Sequence, residues 1–260
     1  MNQLFVCSPS TEKFVDELVI DNHRVEIVNS APTKDLLNRM GTEKDVVAIG
    51  GGAVIDTAKI LSKNPISCFP TTAAGSSSTS WSVYWDGTKK CSVKRMLPRE
   101  VILNGLLIDD LPEDVRKNTT YDVVSHCLDS MCSFKKTTIS YGYCMEALTI
   151  LRNTDNHYDI LKAGDIAGKA IEITGTNLLH SLSYPLTGHY DIPHGKALGY
   201  FLPKLYNFMG YDVSDIIGND RVELEFDLDF VIEEAFKYDK INETTLDVDI
   251  NKLKEIIGAN

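Results

Sequence analysis

Short apolar runs alternate with stretches of helical periodicity through the first hundred residues. Residues 4–7 (LFVC) and 24–28 (RVEIV) read as strands, since apolar and β-branched residues cluster there between turn-forming Ser, Pro and Asn. Residues 45–49 (DVVAI) make the clearest buried strand, 66–69 another short one, and a helix is expected at 34–40. Strands separated by helical segments predict a parallel sheet with crossover helices. From about residue 111 the period changes. Apolar residues recur at helical spacing over 123–131, 144–151, 165–179, 230–236 and 250–257, with little strand-like alternation. The pattern predicts an α/β domain over 1–108 and an all-helical domain over 109–260, with the break between Asn104 and Pro112.

Composition narrows the class without naming a function. The chain has 260 residues, 43% hydrophobic and 24% charged, as expected of a globular protein and not of a disordered chain, a coiled coil or a disulfide miniprotein. With 26 Lys and Arg against 37 Asp and Glu, the formal charge is −11. That balance argues against nucleic acid or an anionic membrane as partner, because phosphate surfaces need clustered cations. No apolar run reaches the roughly 18 residues of a transmembrane helix, and the first residues lack the layout of a secretory signal. Cys7, Cys68, Cys91, Cys127, Cys132 and Cys144 are dispersed with no CxxC pair, so free thiols in a reducing cytoplasm are expected.

Two groups of residues carry candidate chemistry. Strand 45–49 runs directly into Gly50-Gly51-Gly52-Ala53-Val54-Ile55-Asp56-Thr57-Ala58-Lys59. Glycines after a buried strand allow a sharp turn and close ligand approach, and the helix that follows aims free N–H groups at an anion. Its dipole favours a pyrophosphate there. The hydroxyl-rich stretch from Thr71 and Thr72 to Ser78 could bond phosphate, ribose or amide groups, or form a plain polar loop. The second group begins with Asp122 and His126, four apart and so on one face of a helix. That spacing alone also describes a surface pair. However, three of the chain's six histidines lie in 180–194, where Pro185, Gly188, Pro193 and Gly195 mark a helix that stops, turns and restarts. His180 and His194 can then converge on Asp122 and His126, and one carboxylate with three imidazoles suits Fe(II) or Zn(II).

In this order the motifs resemble those of the iron-containing (group III) alcohol dehydrogenases, which share the dehydroquinate synthase-like fold. The GGG(S/A)xxDxAK element, the TTAG-type loop, the DxxxH helix and the HxxxxPLxxxxxxPHG segment all occur, and 241–250 is similar to the family's closing segment. The resemblance implies that Asp122, His126, His180 and His194 hold one divalent metal, Fe(II) first and Zn(II) second. It places the pyrophosphate of NAD or NADP on Gly51, Gly52 and Ala53, with Asp56 in the same element. Thr71 and Thr72 fall near the nicotinamide and Lys90 at the cofactor ribose. The implied activity is reversible NAD(P)H-linked reduction of a small aldehyde to a primary alcohol, in a protein that could form a homodimer.

Segments 89–93, 97–103 and 180–187 are similar to the phosphonoacetaldehyde reductase branch, which makes 2-hydroxyethylphosphonate. Lys94 and Arg95 are candidate partners for such an anionic tail, although an exposed charged loop is the plainer reading. The departures from the family are specific. Tyr184 stands where many members carry a proton-relaying histidine, and it could donate to the developing alkoxide through water or merely pack. The loop reads TTAAGSSS, and Cys7-Ser8-Pro9 offers no carboxylate to repel a 2′-phosphate, so NADP(H) is allowed. The chain is also short for the family, with material expected to be missing after the DxxxH helix and between Tyr206 and Asp227. Two other readings compete: a dehydroquinate synthase-type lyase, and a shortened member that binds nucleotide or a partner without turnover.

Overall fold

Burial on both faces explains why the central N-terminal strands, 3–7 and 46–50, read as continuous apolar runs. In the computed structural model, which describes residues 3–18, 23–108, 111–154, 156–218 and 221–258, the chain opens with β1 (Gln3–Cys7), α1 (Lys13–Leu18) and β2 (His23–Ile27). There follow β3 (Val46–Gly50), α2 (Gly52–Leu61), β4 (Ser67–Pro70), β5 (Trp81–Asp86), β6 (Lys89–Lys94) and β7 (Glu100–Val101). Among the described residues, five of these strands form a parallel sheet in the order β2-β1-β3-β4-β7. Alternate side chains bury on opposite faces. Leu4, Val6, Val46 and Ala48 pack on α2 residues Val54, Ile55, Ala58 and Leu61, while Phe5, Cys7, Val47 and Ile49 pack with Val15 of α1. The strand order reverses between β1 and β3, so the Gly50–Gly52 turn sits at the carboxyl edge where such sheets bind ligands.

Two features of this half depart from the expected pattern. Residues 34–40 form a 3-10 turn, Lys34–Arg39, and none of its residues is buried, so no packed face extends it into a helix. Strands β5 and β6 pair as an antiparallel hairpin across Gly87 and Thr88, with Gly87 at φ +61°. This hairpin stands apart from the parallel sheet and closes one wall of a cavity described below.

The remainder is helical: α3 (Glu113–Met131), α4 (Thr138–Arg152), α5 (His157–Thr174), α6 (Leu178–Tyr190), α7 (His194–Leu205), α8 (Ser214–Ile217), α9 (Leu228–Ala235) and α10 (Ile250–Gly258). Helix α3 is central, and Val123, Val124, Cys127, Leu128 and Met131 are fully or almost fully buried against its neighbours. The periodic stretch 165–179 is two helices, because Gly175 at φ +71° ends α5 before α6 begins. Pro185 and Gly188 do not interrupt α6. The break comes at Asp191, at φ 53°, and Pro193 leads into α7. Asp109 and Asp110, beside the expected domain boundary, lie outside the described residues. Among the described residues no helix is long and apolar enough to cross a membrane.

The sheet and the helices meet along the loop between β4 and β5. Gly75 adopts φ +72°, and Gly168 of α5 lies against it. A Cβ on Gly168 would come within 2.7 Å of Ser78 Cβ and 2.9 Å of the Gly75 carbonyl oxygen. In an open helix, Gly→Ala stabilises by about 1 kcal/mol. At Gly168 overpacking reverses the sign, and Gly168→Ala is expected to destabilise by about 1–3 kcal/mol in urea unfolding. Gly142→Ala in α4, where a Cβ meets nothing within 4 Å, is the control and should stabilise. Equal effects at both sites would contradict this packing.

Candidate metal and dinucleotide site

A cavity of about 920 Å³ opens between the carboxyl edge of the sheet, the β5–β6 hairpin and the helices. Its walls include Gly52, Ala53, Asp56 and Thr72 from the sheet half, and Asp122, His180 and His194 from the helical half.

Asp122 and His126 are one turn apart on α3, with His126 Nε2 3.4 Å from Asp122 Oδ1. His180 projects from the first turn of α6 with Nε2 3.2 Å from the same oxygen, and His194, first residue of α7, places Nε2 at 3.9 Å. Ligand atoms of Asp122, His180 and His194 all lie within 4.8 Å of one another. His126 stands at the edge of this set, its ring stacked on His180 at 4.6 Å between centroids and its Nδ1 buried without a hydrogen-bond partner. The structure thus gathers three of the four expected ligands tightly and sets the fourth against them.

Hydrogen bonds fix which nitrogens face the cluster. Asp129, fully buried on α3, accepts from the backbone N–H of Asn177, Leu179 and His180 and pairs with His180 Nδ1 at 2.9 Å. A carboxylate only accepts, so His180 Nδ1 carries a proton toward Asp129, and Nε2, 3.2 Å from Asp122, is the nitrogen turned to the cluster. Ser183 donates its hydroxyl hydrogen to the His180 carbonyl at 2.7 Å, so at 3.1 Å it accepts from His194 Nδ1 and leaves His194 Nε2 as an acceptor. Burial pushes the Asp122 carboxyl up, but the surrounding imidazoles more than offset this and hold it well below the usual range. Burial lowers His126 to about 4 and also depresses His194; it opposes the hydrogen bonds that His180 donates to Asp122 and Asp129, which raise His180 to about 9. A carboxylate ringed by imidazoles of set tautomer, with one buried nitrogen unpartnered, fits a divalent cation of the Fe(II) or Zn(II) type.

On the sheet side, Gly51 caps α2 in extended conformation, and a Cβ there would lie 2.9 Å from Thr72 Oγ1. Gly52, Ala53 and Thr72 therefore bring backbone close to the cavity at the start of a ten-residue helix. Thr71 does not reach this cavity. Its N–H bonds the Gly50 carbonyl at 3.1 Å, and its side chain lines a small separate hollow. Much of the hydroxyl-rich loop has structural partners. Ser78 bonds Asp165, and Ser80 gives its N–H and hydroxyl to Glu172 of α5 at 2.8 and 2.7 Å. Lys59, almost fully buried, donates to the carbonyls of Ser76 at 3.0 Å, Thr79 at 3.3 Å and Trp81, and lies 3.5 Å from Asp56 Oδ1. Burial raises the Asp56 carboxyl and lowers the Lys59 ammonium.

Tyr184 is buried on α6 beside His194, 6.0 Å between ring centroids. Its hydroxyl lies 2.9 Å from Lys240 Nζ and 3.3 Å from Thr176 Oγ1, while Lys90 Nζ sits over the ring at 4.3 Å. Burial raises the phenol's pKa, but Lys240 and Lys90 more than offset it and bring it to about 7. Lys90 is placed by a backbone bond from its own N–H to the Tyr238 hydroxyl at 3.1 Å. Arg95 faces elsewhere, donating to the carbonyls of Lys59 and Ser62, and Lys94 lies 5.9 Å from the centre of the Trp81 ring. No motif in the sequence marks Asp129, Ser183 or Lys240. Asp129 carried a signal, since it follows Asp122 by seven residues and so shares its helical face.

Asp129→Asn keeps the side chain's shape but puts an amide where His180 and three backbone donors need a carboxylate. It should lower metal affinity on the order of 10- to 100-fold, read as metal content after dialysis against a graded chelator. Unchanged retention would show that Asp129 does not orient the site.

Residues 117–215 match the C-terminal model of the Fe-containing alcohol dehydrogenase family. Maleylacetate reductase 1 of Cupriavidus pinatubonensis is 29% identical over 174 residues, covering 61% of this chain and 49% of that protein. The chain spans about half the length of the curated relatives it matches first. Among solved structures, the iron-containing alcohol dehydrogenase of Thermotoga maritima superposes with a TM-score of 0.81 at 23% identity, covering 99% of this chain and 92% of that one. Sulfoacetaldehyde reductase from Bifidobacterium kashiwanohense, solved with NAD+, gives 0.81 at 18% identity over 100% of this chain and 91% of its own. Over the helical region 117–215, and in its fold throughout, the chain is thus similar to the iron-containing alcohol dehydrogenases.

Proposed function

We propose that the chain is a metal-dependent, NAD(P)H-linked reductase that converts a small aldehyde to a primary alcohol and catalyses the reverse. The observation that carries this reading is the joining of Gly52 and Ala53, at the start of α2, and the Asp122, His180 and His194 cluster in one cavity. Residues 1–108 would hold the dinucleotide and 109–260 the metal. The six cysteines are free, in keeping with a cytoplasmic enzyme.

When bound, the metal supplies Lewis acidity toward the carbonyl oxygen and the nicotinamide supplies the hydride. The protein's part is placement and proton handling. Asp122, His126, His180 and His194 would hold the cation, with Asp129 and Ser183 fixing the orientation of His180 and His194. Gly52, Ala53 and the α2 N-terminus would bind the pyrophosphate, with Thr72 beside them, and Lys90 would reach the ribose from the hairpin. Tyr184 Oη is the group suited to hold the proton that the product oxygen requires. It is buried beside His194, its acidity is close to neutral, and Lys240 Nζ lies within hydrogen-bond reach. For the specific aldehyde, the resemblance at 89–93, 97–103 and 180–187 favours phosphonoacetaldehyde.

Metal-loaded protein should oxidise NADH or NADPH in the presence of aldehyde, and Asp122→Ala or His194→Ala should lower both bound metal and turnover by more than about a hundredfold. Metal analysis and absorbance at the nicotinamide band test this together. Bound metal with no turnover across a broad aldehyde panel would instead support a non-catalytic chain. Unchanged turnover in both variants would remove the metal from the mechanism.

A further inference from the structure

We propose that the exposed face of α4 is a self-association surface, on which a second copy of this chain docks antiparallel about a two-fold axis at Gly142. The inference is independent of the aldehyde reductase reading.

Helix α4 has one face in the core. Ser140, Cys144, Ala147, Leu148 and Leu151 are buried, and the helix packs on α3 and α5. The opposite face of a surface helix is ordinarily polar. Here it carries Ile139 at 64% exposure and Met145 at 39%, with Tyr141 at 38% beside them and Phe134, just ahead of the helix, at 71%. Gly142 lies three residues from both Ile139 and Met145 and so on the same side of the helix. It is exposed, its φ is not positive, and a Cβ there would meet nothing within 4 Å. Nothing in the single chain therefore requires glycine, which costs a helix stability relative to alanine. An apolar face with a glycine at its centre suits a second helix whose backbone approaches closely.

The face is complementary to itself, which points to a second copy and not to an unrelated partner. In an isologous contact residue i meets j and j meets i. With two α4 helices antiparallel about Gly142, Ile139 packs on Met145 of the second copy, and Met145 on the second copy's Ile139. Charge follows the same symmetry. Lys136 precedes the first turn, and Glu146 lies one turn beyond Gly142. Both are exposed, and among the described residues neither has an ion-pair partner, whereas neighbouring Lys135 and Arg152 are already paired with Glu243 and Asp215. Antiparallel docking brings Lys136 and the positive end of α4 toward Glu146 of the second copy, twice per dimer. Parallel docking would set like charges together.

One helix pair buries less than the roughly 800 Å² per partner of a standard interface, so a dissociation constant on the order of 10 μM is expected. Sedimentation equilibrium of the full chain across that concentration reads it. Ile139→Asp, at an exposed position, should leave the melting temperature unchanged and weaken the dimer by more than about 100-fold. Lys136→Glu and Glu146→Lys should each weaken it about 5- to 10-fold, and the double variant should recover most of the loss. A residue on the two-fold axis meets its own copy. In a Cys91→Ser background, where the other native cysteines are buried, Gly142→Cys should therefore cross-link under mild diamide. Thr149→Cys, exposed on the same face two turns away, should not. A wild-type chain that stays monomeric at about ten times the expected constant overturns the proposal. So does a dimer that survives Ile139→Asp, since it would lie on another face. Equal cross-linking at 142 and 149, or a double charge variant no better than either single one, overturns the antiparallel two-fold register.

Discussion

Asp129 ties together what the site requires. A carboxylate with no exposed surface is costly unless every lone pair is used. Here the carboxylate accepts the three backbone N–H groups that open α6 and the Nδ1 proton of His180. Its charge also complements the positive end of α6. One interaction therefore docks α6 on α3, fixes the rotation of α6 and holds the His180 ring by its Nδ1 proton. Asn177 reinforces the joint by donating its side-chain amide to the Asp129 carbonyl at 2.7 Å. Once α6 is set, Ser183 lies one turn beyond His180 and reaches His194 across the turn at Asp191. The placement of His180 and His194 thus descends from a residue that need not touch the metal.

A second polar joint sets the sheet against the helices. The loop after β4 is gripped from the sheet side by Lys59 and from the helical side by Asp165 and Glu172. Ala73 adds a bond from its N–H to Thr119 Oγ1 at 2.7 Å. These contacts are specific in direction, whereas the apolar cores on either side are not, so they determine how the glycine turn faces the imidazole cluster. This also accounts for the small residues along the loop. Ala73 and Gly75 let α5 approach through Gly164 and Gly168, and larger side chains would hold the two halves apart.

The sequence was most legible where local rules coincide with burial. Strands β1, β3 and β4 are legible within one or two residues because burial in the sheet produces uninterrupted apolar runs, β2 only because Val25 and Ile27 alternate with polar residues at the sheet edge, and Asp122 with His126 follows from helical spacing. It was less legible where tertiary contact decides. The β5–β6 hairpin has no apolar run to mark it, although Gly87 supplies its turn. Its strands carry Lys, Ser and Asp, and Val83, Trp85, Lys90 and Ser92 face the cavity and not an apolar core. The hydroxyls after Thr72 look like ligand donors in sequence, yet Ser78 and Ser80 are occupied by acids nearly ninety positions away in the chain. Lys240 gave no signal, since nothing local distinguishes it from other lysines of an amphipathic surface. Pro185 and Gly188 misled in the opposite direction, because packing holds α6 through both.

The net charge of −11 and the cationic pocket are compatible because they act over different ranges. Exposed carboxylates are screened within roughly 8 Å at physiological salt, and many here already pair with lysine or arginine on the surface. Inside the cavity the dielectric is lower, and each buried charge acts strongly on the groups beside it. What the pocket selects is therefore set by a few desolvated groups and not by the surface sum. The same reasoning explains how a chain spanning about half the length of its first curated relatives can retain this arrangement. The ligand set and its orienting residues come from α3, α6 and α7, which pack directly on one another, and the lysines come from the β5–β6 hairpin and the short segment after α9. Helical material elsewhere can differ in amount without moving a ligand, provided the core around α3 stays covered.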